Sequence, residues 1–429
     1  MSKKNIFIVG IDDFNLGELK AIDTVDQYNF HSLGDYQDMQ QKGKQSDVKA
    51  ILEKARNILN NFEGSIDGII GYYDFPITLV SFLLSDEYNL PGPSFISGLQ
   101  CEHKYWSRKE QKKVIPEQVP DFVAVNPGED EKLEKINLKP PFWLKPVKAY
   151  SSSLGFKINN QKDLDEALQK INAEIHVYGE PFNLLLDKAD LPDDIAEVDG
   201  NYCIAEKMIS GHQCTVSGYV FENKVYNYGV VDSINYDNDF SFFYYQYPSD
   251  LPQSVQQRLN SLTEKVMGHL KFNNSTFNIE YFYDQEADEI HLLEINPRMS
   301  QSHSDLYAKV SGNSNHKLLI ELATGEQPEY NATAGKFAYA GKFHYCVFKD
   351  GIVKKAPDED KINKIKEKHP ELVLFPEAKE GDKLSQSHVH DSYSYRLATM
   401  FIGGNSREGL VKKYDEIVDQ LGYELEFSE

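Results

Sequence analysis

Residues 277–298 read FNIEYFYDQEADEIHLLEINPR. Two runs of strand-type composition, FNIEYFY and IHLLEIN, flank the acidic, turn-prone DQEAD, which predicts a β-hairpin or two neighbouring strands. With Phe282 facing Leu292, Glu280 lies opposite Glu294, and Asn296 follows two residues further along the same face. Like charges directly opposite destabilise a sheet, and a buried carboxylate needs a partner. A hard divalent cation between the two glutamates explains the arrangement. Two carboxylates and an amide oxygen suit Mg²⁺, which completes its shell with water and substrate phosphates. The plain alternative is an edge hairpin with both glutamates in solvent.

The rest of the chain sets the context for that hairpin. Its 429 residues allow about two or three domains with cores of their own. A hydrophobic content of 40% and a charged content of 26% fit a soluble globular protein. The net charge of −22 argues against nonspecific nucleic-acid binding or binding to an anionic membrane, so any anion site must be local. Cys101, Cys203, Cys214 and Cys346 are scattered without CxxC spacing, which indicates neither a zinc site nor a disulfide framework. The opening MSKKNIFIVGI has basic residues and a short apolar run, but the run stops at Asp12 and Asp13. With no segment of about 18 apolar residues, a cytoplasmic location with no membrane partner is the expectation.

Along the chain, NIFIVG (residues 5–10) reads as a buried first strand. An amphipathic helix over 48–62 places Val48, Ile51, Leu52, Ala55, Ile58, Leu59 and Phe62 on one face. IDGIIGYYD then reads as a second strand, Pro76 opens an apolar helix, and PGPS at 91–94 is a turn. This alternation predicts a parallel α/β domain without the GxGxxG dinucleotide fingerprint. In PPFWLKPVKAYSSSLGF a strand carrying Lys145 leads into a small-residue loop, Ser151, Ser152 and Ser153, ending at Gly155. Such a loop lets backbone N–H groups approach phosphate oxygens, with Lys145 and Lys148 supplying charge; a surface turn is the alternative. A helix over 163–173 is expected to start on Asp163 and Glu166.

Residues 203–231 read as successive strands with turns at SG and EN. Glu206 falls at a strand-to-loop junction, where a solvated side chain is the ordinary expectation. Residues 232–252 lack periodicity and read as a loop of about 20 residues rich in Phe and Tyr. A helix carrying Val255, Leu259, Leu262, Val266 and Leu270 leads into the hairpin. NHKLLIELATG is a helix closed by Gly325, a small β-rich region follows to about 405, and the helix EGLVKKYDEIVDQLG ends the chain.

FNIEY followed by LLEINPR, with the upstream lysines and the small-residue loop, resembles the ATP-grasp superfamily of carboxylate-amine ligases with biotin-carboxylase-like domain order. The resemblance implies a multidomain α/β and α+β chain: a Rossmann-like pre-ATP-grasp domain over 1–103, a two-lobed ATP-grasp domain over 104–325 with its small lobe at about 139–208, and a small β-rich C-terminal domain over 326–429. It implies that Lys104 and Lys145 grip ATP phosphates, and that the loop with Ser151, Ser152, Ser153 and Gly155 folds over them. Glu206, Lys207, Met208 and Ile209 match the adenine hinge. Gln213 stands where the family usually has an acidic residue at the ribose. Glu280, Glu294 and Asn296 match ligands of Mg²⁺, with Mn²⁺ as a substitute, and Arg298 matches the basic residue beside the γ-phosphate. Similar proteins are commonly homodimers.

Two departures bear on subtype. AYSSSLG replaces the glycine-rich loop of biotin carboxylases, and their NxRxQxEH pattern here reads Asn296, Arg298, Ser300, Ser302, His303. With Ser302 in place of the glutamate, bicarbonate chemistry is disfavoured. The expectation is an ATP-dependent ligase that joins a carboxylate to an amine, an amide or dipeptide being the product. Arg298 and Lys145 would be catalytic, and His303 a second-step base or a substrate contact. Biotin-carboxylase-like carboxylation, or nucleotide binding without turnover, are the competing readings.

Overall fold

The computed structural model describes residues 2–40, 44–129, 132–150, 153–237, 241–332, 334–387 and 394–427. Ser151 and Ser152 of the expected phosphate loop lie outside the described residues.

The N-terminal unit is a parallel sheet of order β2-β1-β3, made of β1 (Lys4–Ile8), β2 (Tyr28–Ser32) and β3 (Gly68–Ile70). Helix Val48–Asn60 buries Val48, Ile51, Leu52, Ala55 and Leu59, the apolar stripe read from the sequence. The apolar helix Ile77–Glu87 starts directly after Pro76. Helix Asp13–Lys20 and β2, which sequence reading did not resolve, supply the crossover between parallel neighbours.

A second sheet, antiparallel and of order β4-β7-β5-β6, is made of β4 (Phe122–Val125), β5 (Phe142–Pro146), β6 (Phe156–Ile158) and β7 (Cys203–Lys207). Helix Gln161–Glu174 covers it with Leu164, Leu168 and Ile171. The cap of that helix corrects the reading from sequence. Asn160 is the N-cap and accepts from the Asp163 N–H, while Asp163 itself accepts from the Asn159 N–H at 2.9 Å.

The third sheet begins with β8 (His212–Phe221), β9 (Lys224–Asn235), β10 (Phe242–Tyr247), β11 (Ser275–Asp284) and β12 (Glu289–Asn296). It continues with β13 (Tyr339–Val347), while β14 (Gly351–Lys355) stands apart; β15 (Val373–Pro376) and β16 (Tyr395–Gly404) complete the order β12-β11-β8-β9-β10-β13-β16-β15. The sheet therefore runs without a break across the 325/326 position. Helix Arg407–Leu421 packs on β13 and β16, and the chain continues past it into β17 (Glu424–Phe427), which pairs with β14.

Residues 232–252 are not a long loop. Residues 232–235 are the end of β9 and residues 242–247 are β10, with Tyr244 and Tyr247 buried and β10 paired on both sides. A strand with neighbours on each edge and aromatic packing on its faces need not alternate in polarity. Among the described residues, no helix is long and apolar enough to cross a membrane.

Candidate active site

The opening hairpin forms as read, with one difference in register. Glu280 pairs with Glu294, but a bulge follows, so Tyr281 pairs with Leu292 and Phe282 with His291, not Phe282 with Leu292. Asn296 pairs with Asn278 on the same face as the two glutamates. The extra residue of the bulge is Leu293, whose carbonyl accepts from Arg108 Nη2 at 2.7 Å. Helix Lys104–Val114 is thereby tied to the hairpin at the point where the bulge re-aims Glu294.

Both carboxylates are held by polar neighbours, unlike those of a solvated edge hairpin. Glu280 accepts from Asn296 Nδ2 at 3.1 Å and from Gln213 Nε2 at 3.0 Å. Burial, and then the charge of Glu294, push the Glu280 carboxyl up to about 7. Burial also opposes ionisation of Glu294, but Lys104, Lys145 and Lys148 outweigh it and hold that carboxyl at about 2. One ionised and one reluctant carboxylate, with an amide between them, is a donor set that a divalent cation would relieve, so these residues fit Mg²⁺. Among the described residues, no group of three or more His, Cys, Asp or Glu side chains is placed to hold a metal ion.

Above the hairpin, Lys104 Nζ donates to Glu294 at 2.9 Å and to the Ala149 carbonyl at 3.0 Å. Lys145 Nζ meets Glu206 Oε2 at 2.7 Å, across adjacent strands β5 and β7. The two lysines, Glu206 and Glu294 line one cleft together with Arg108 and Ile295. Glu206 is not the solvated strand end that sequence reading anticipated: it is buried, and Arg108 Nε contacts its Oε1 at 2.5 Å. Arg108 itself was missed. The available signal was its position one helical turn after Lys104, which puts both cations on one face.

Two expectations follow from this buried network. Arg108→Ala removes one of two cationic partners of buried Glu206 and leaves the Leu292 and Leu293 carbonyls without their donor, so urea unfolding should show a loss of about 2–4 kcal/mol. Burial raises the Glu206 carboxyl, but Arg108 and Lys145 overcome that and depress it to about 2, from 4.5 in the unfolded chain. Its stabilisation is therefore fully present above about pH 4.5 and is lost as pH falls toward 2. Glu206→Gln should flatten the decline in unfolding free energy over that window.

Arg298 lies at the far end of the hairpin strand. Its Nε donates to Asp74 Oδ1 at 2.9 Å and its Nη2 reaches the same oxygen at 2.5 Å and Asn296 Oδ1 at 3.4 Å. Asp74 follows β3, so the N-terminal unit itself aims the arginine. His303 is buried beside Tyr245, with ring centroids 5.2 Å apart. Burial, Lys342 and Arg298 push its pKa down to about 3, which leaves it a neutral imidazole near pH 7 and a weak base for an ammonium proton.

The remaining expected positions fall as follows. Lys148 is buried against Glu102 and the Phe75 ring, and it acts on Glu294 through its charge. Gly155 packs on Trp143, where an added Cβ would come within 2.9 Å of the indole. Ser153 donates its backbone N–H to the Tyr150 carbonyl. Exposed Lys207 ends β7, Met208 and Ile209 lie in the exposed or half-exposed link to β8, and Gln213 is engaged with Glu280.

Residues 138–304 match the family model of the ATP-grasp domain, an interval that includes Lys145, Glu206 and the whole hairpin. No curated protein sequence matches the chain. In three dimensions it is similar to the L-amino acid ligase of Bacillus licheniformis, at a TM-score of 0.74 and 17% identity with 100% of both chains covered. Phosphoribosylglycinamide synthetase from Anaerococcus prevotii gives 0.63 at 16% identity, covering 99% of this chain and 100% of that one. Biotin carboxylase from Campylobacter jejuni gives 0.64 at 14%, covering 98% and 92%. At such identities the likeness is one of fold. Residues 138–304 are an ATP-grasp domain, set in an α/β and α+β architecture shared with these proteins along nearly their whole length.

Proposed function

We propose that this chain, with an ATP-grasp domain at its centre, is an ATP- and Mg²⁺-dependent carbon–nitrogen ligase that activates a carboxylate as an acyl-phosphate and joins it to an amine. The observation that carries this reading is the set of cations around the opposed Glu280 and Glu294 and Asn296: Lys104 bonds Glu294, Lys145 acts on Glu294 through its charge while pairing with Glu206, and Arg298 reaches Asn296. A carboxylate is a poor electrophile because oxide is a poor leaving group. Phosphorylation supplies a better one, and the phosphoryl transfer itself is mainly positioning and charge neutralisation.

In this reading Glu280, Glu294 and Asn296 would hold Mg²⁺, which when bound neutralises phosphate charge. Lys104 and Lys145 bind the phosphates, exchanging their carboxylate partners for phosphate oxygens. The backbone at Gly155 covers them. Glu206 to Ile209 and Gln213 contact the nucleoside. Arg298, fixed by Asp74, presents its remaining donors to the substrate carboxylate as that oxygen attacks the γ-phosphorus and ADP departs. The amine then attacks the acyl carbon, and phosphate leaves with one oxygen from the original carboxylate.

Ser302 speaks against the carboxylase reading. Its hydroxyl takes a hydrogen bond from Lys342 Nζ at 2.8 Å, and it carries no carboxylate to deprotonate bicarbonate. The test is ADP release over a matrix of amino and organic acids paired with amines, with product masses examined for loss of water. Acid- and amine-dependent ADP with a condensed product supports the ligase. Carboxylation of free biotin with bicarbonate, or tight ATP binding with no turnover for any pair, overturns it.

A further inference from the structure

Strand register continues the face of the two glutamates across the sheet. Glu280 pairs with Thr215, two residues from Gln213; Gln213 pairs with Ser233, Ser233 with Tyr245, and Tyr245 with Lys342. Side chains at paired and alternate positions share a face, so Glu280, Tyr245, Lys342 and His344 all point the same way. Tyr245 and Lys342 lie three and four strands from Glu280.

This distant part of the face holds buried polar groups that the protein does not satisfy. His303 and His344 are 3% and 8% exposed, and His303 Nδ1 and His344 Nε2 are buried with no hydrogen-bond partner. Lys342 donates to Ser302 Oγ and has no carboxylate partner among the described residues. Arg396, from β16, is paired through Nε with Glu377 at 2.5 Å. With both histidines neutral and Lys342 protonated, these side chains and Glu377 sum to one positive charge, which meets the faces of the Tyr245 and Phe401 rings but no carboxylate. Native interiors rarely leave such groups unpaired unless something else pairs them. Burial, and then the charge of Arg396, push the Lys342 pKa down to about 7, a cost that an arriving anion would remove.

We propose that Lys342, Arg396, His303 and His344 form the binding site for the carboxylate of the acceptor, so that the amine substrate is an amino acid. The proposal rests on the ligase reading and names its second substrate. His303 connects the two ends: it stands beside Tyr245 and within the field of both Arg298 and Lys342. The acceptor's amine would point toward Arg298 and its carboxylate toward β13.

The test compares an acceptor amino acid with its carboxamide, in wild type and in Lys342→Met, using the acid–amine pair that gives most ADP. The wild type should prefer the free acid by about tenfold or more in kcat/KM, the worth of one charge-assisted hydrogen bond. Lys342→Met should abolish that preference, and Lys342→Arg should retain most of it. The methionine replaces a buried charge by an apolar chain of similar length, so folding is expected to persist, with far-UV circular dichroism as the check. An unchanged preference in Lys342→Met overturns the proposal. So does a variant that instead becomes blind to a second carboxylate on the donor acid. Should no pair release ADP, the ligase reading fails by itself. Calorimetry with the same amino acids and amides then decides the subsite: a difference abolished by Lys342→Met supports it, and no difference overturns it.

Discussion

Glu294→Gln is expected to lower acid- and amine-dependent ADP formation by at least about 100-fold while the unfolding midpoint stays near that of the wild type. The substitution keeps the shape of the side chain and the strand register opposite Glu280. It removes the negative charge that Lys104 meets at 2.9 Å and that three lysines hold ionised. A neutral amide at that position is a poor ligand for a hard cation, and Glu280, whose ionisation burial still opposes, cannot replace it alone. The side chain is 35% exposed and the amide oxygen of glutamine can still accept from Lys104 Nζ, which limits the structural cost. Titrating Mg²⁺ against activity separates the causes: the variant should need far more metal, and a normal metal requirement with normal turnover would remove Glu294 from the site.

The second large effect belongs to Arg298. Arg298→Lys keeps a positive charge but loses the planar fork that lets one guanidinium meet Asp74 and Asn296 while holding donors for a carboxylate. A fall in kcat/KM of about 100-fold is expected, expressed mainly in kcat if the arginine acts on the transferring phosphoryl group. Asp74 acts through Arg298. Asp74→Asn should therefore cost less, about tenfold, in the range typical of groups that orient a site residue. Equal losses in Arg298→Lys and in a variant far from the cleft would show a structural effect only.

Much of the candidate site's geometry was legible because its residues are close in sequence. Glu280, Glu294, Asn296 and Arg298 fall within one hairpin, and a strand period of two places the first three on one face whatever the tertiary context. The bulge at Leu293 was not legible, since alternation alone cannot reveal an added residue whose carbonyl is taken by a distant arginine. Arg108 and Asp74 were missed for a related reason. Their partners Glu206 and Arg298 lie 98 and 224 residues away, and no local pattern marks a charge that folding will bury. Glu206 was misjudged by the same gap: a glutamate at a strand end is ordinarily solvated, and only its two distant cations change that.

The fold followed the same division. Helices with a clear apolar stripe, such as Val48–Asn60 and Gln253–His269, lie where periodicity puts them. Strand β10 was read as loop because a strand covered on both faces shows no polar alternation. A structureless stretch of about 20 residues inside a compact unit was itself a sign against that reading. The cap of helix Gln161–Glu174 shifted by three residues because Asn160 and Asp163 are both good capping types, and backbone geometry alone chose between them.

The account stands on a carboxylate oxygen attacking phosphorus. The most direct measurement supplies the donor acid labelled with ¹⁸O in both carboxylate oxygens, together with ATP, Mg²⁺ and the amine, and reads the mass of the phosphate released. Phosphate carrying one ¹⁸O per turnover, with one ¹⁸O left in the product carbonyl, is the predicted result. Unlabelled phosphate from an otherwise productive reaction would contradict the acyl-phosphate route and with it the roles assigned to Arg298, Lys104 and the paired glutamates.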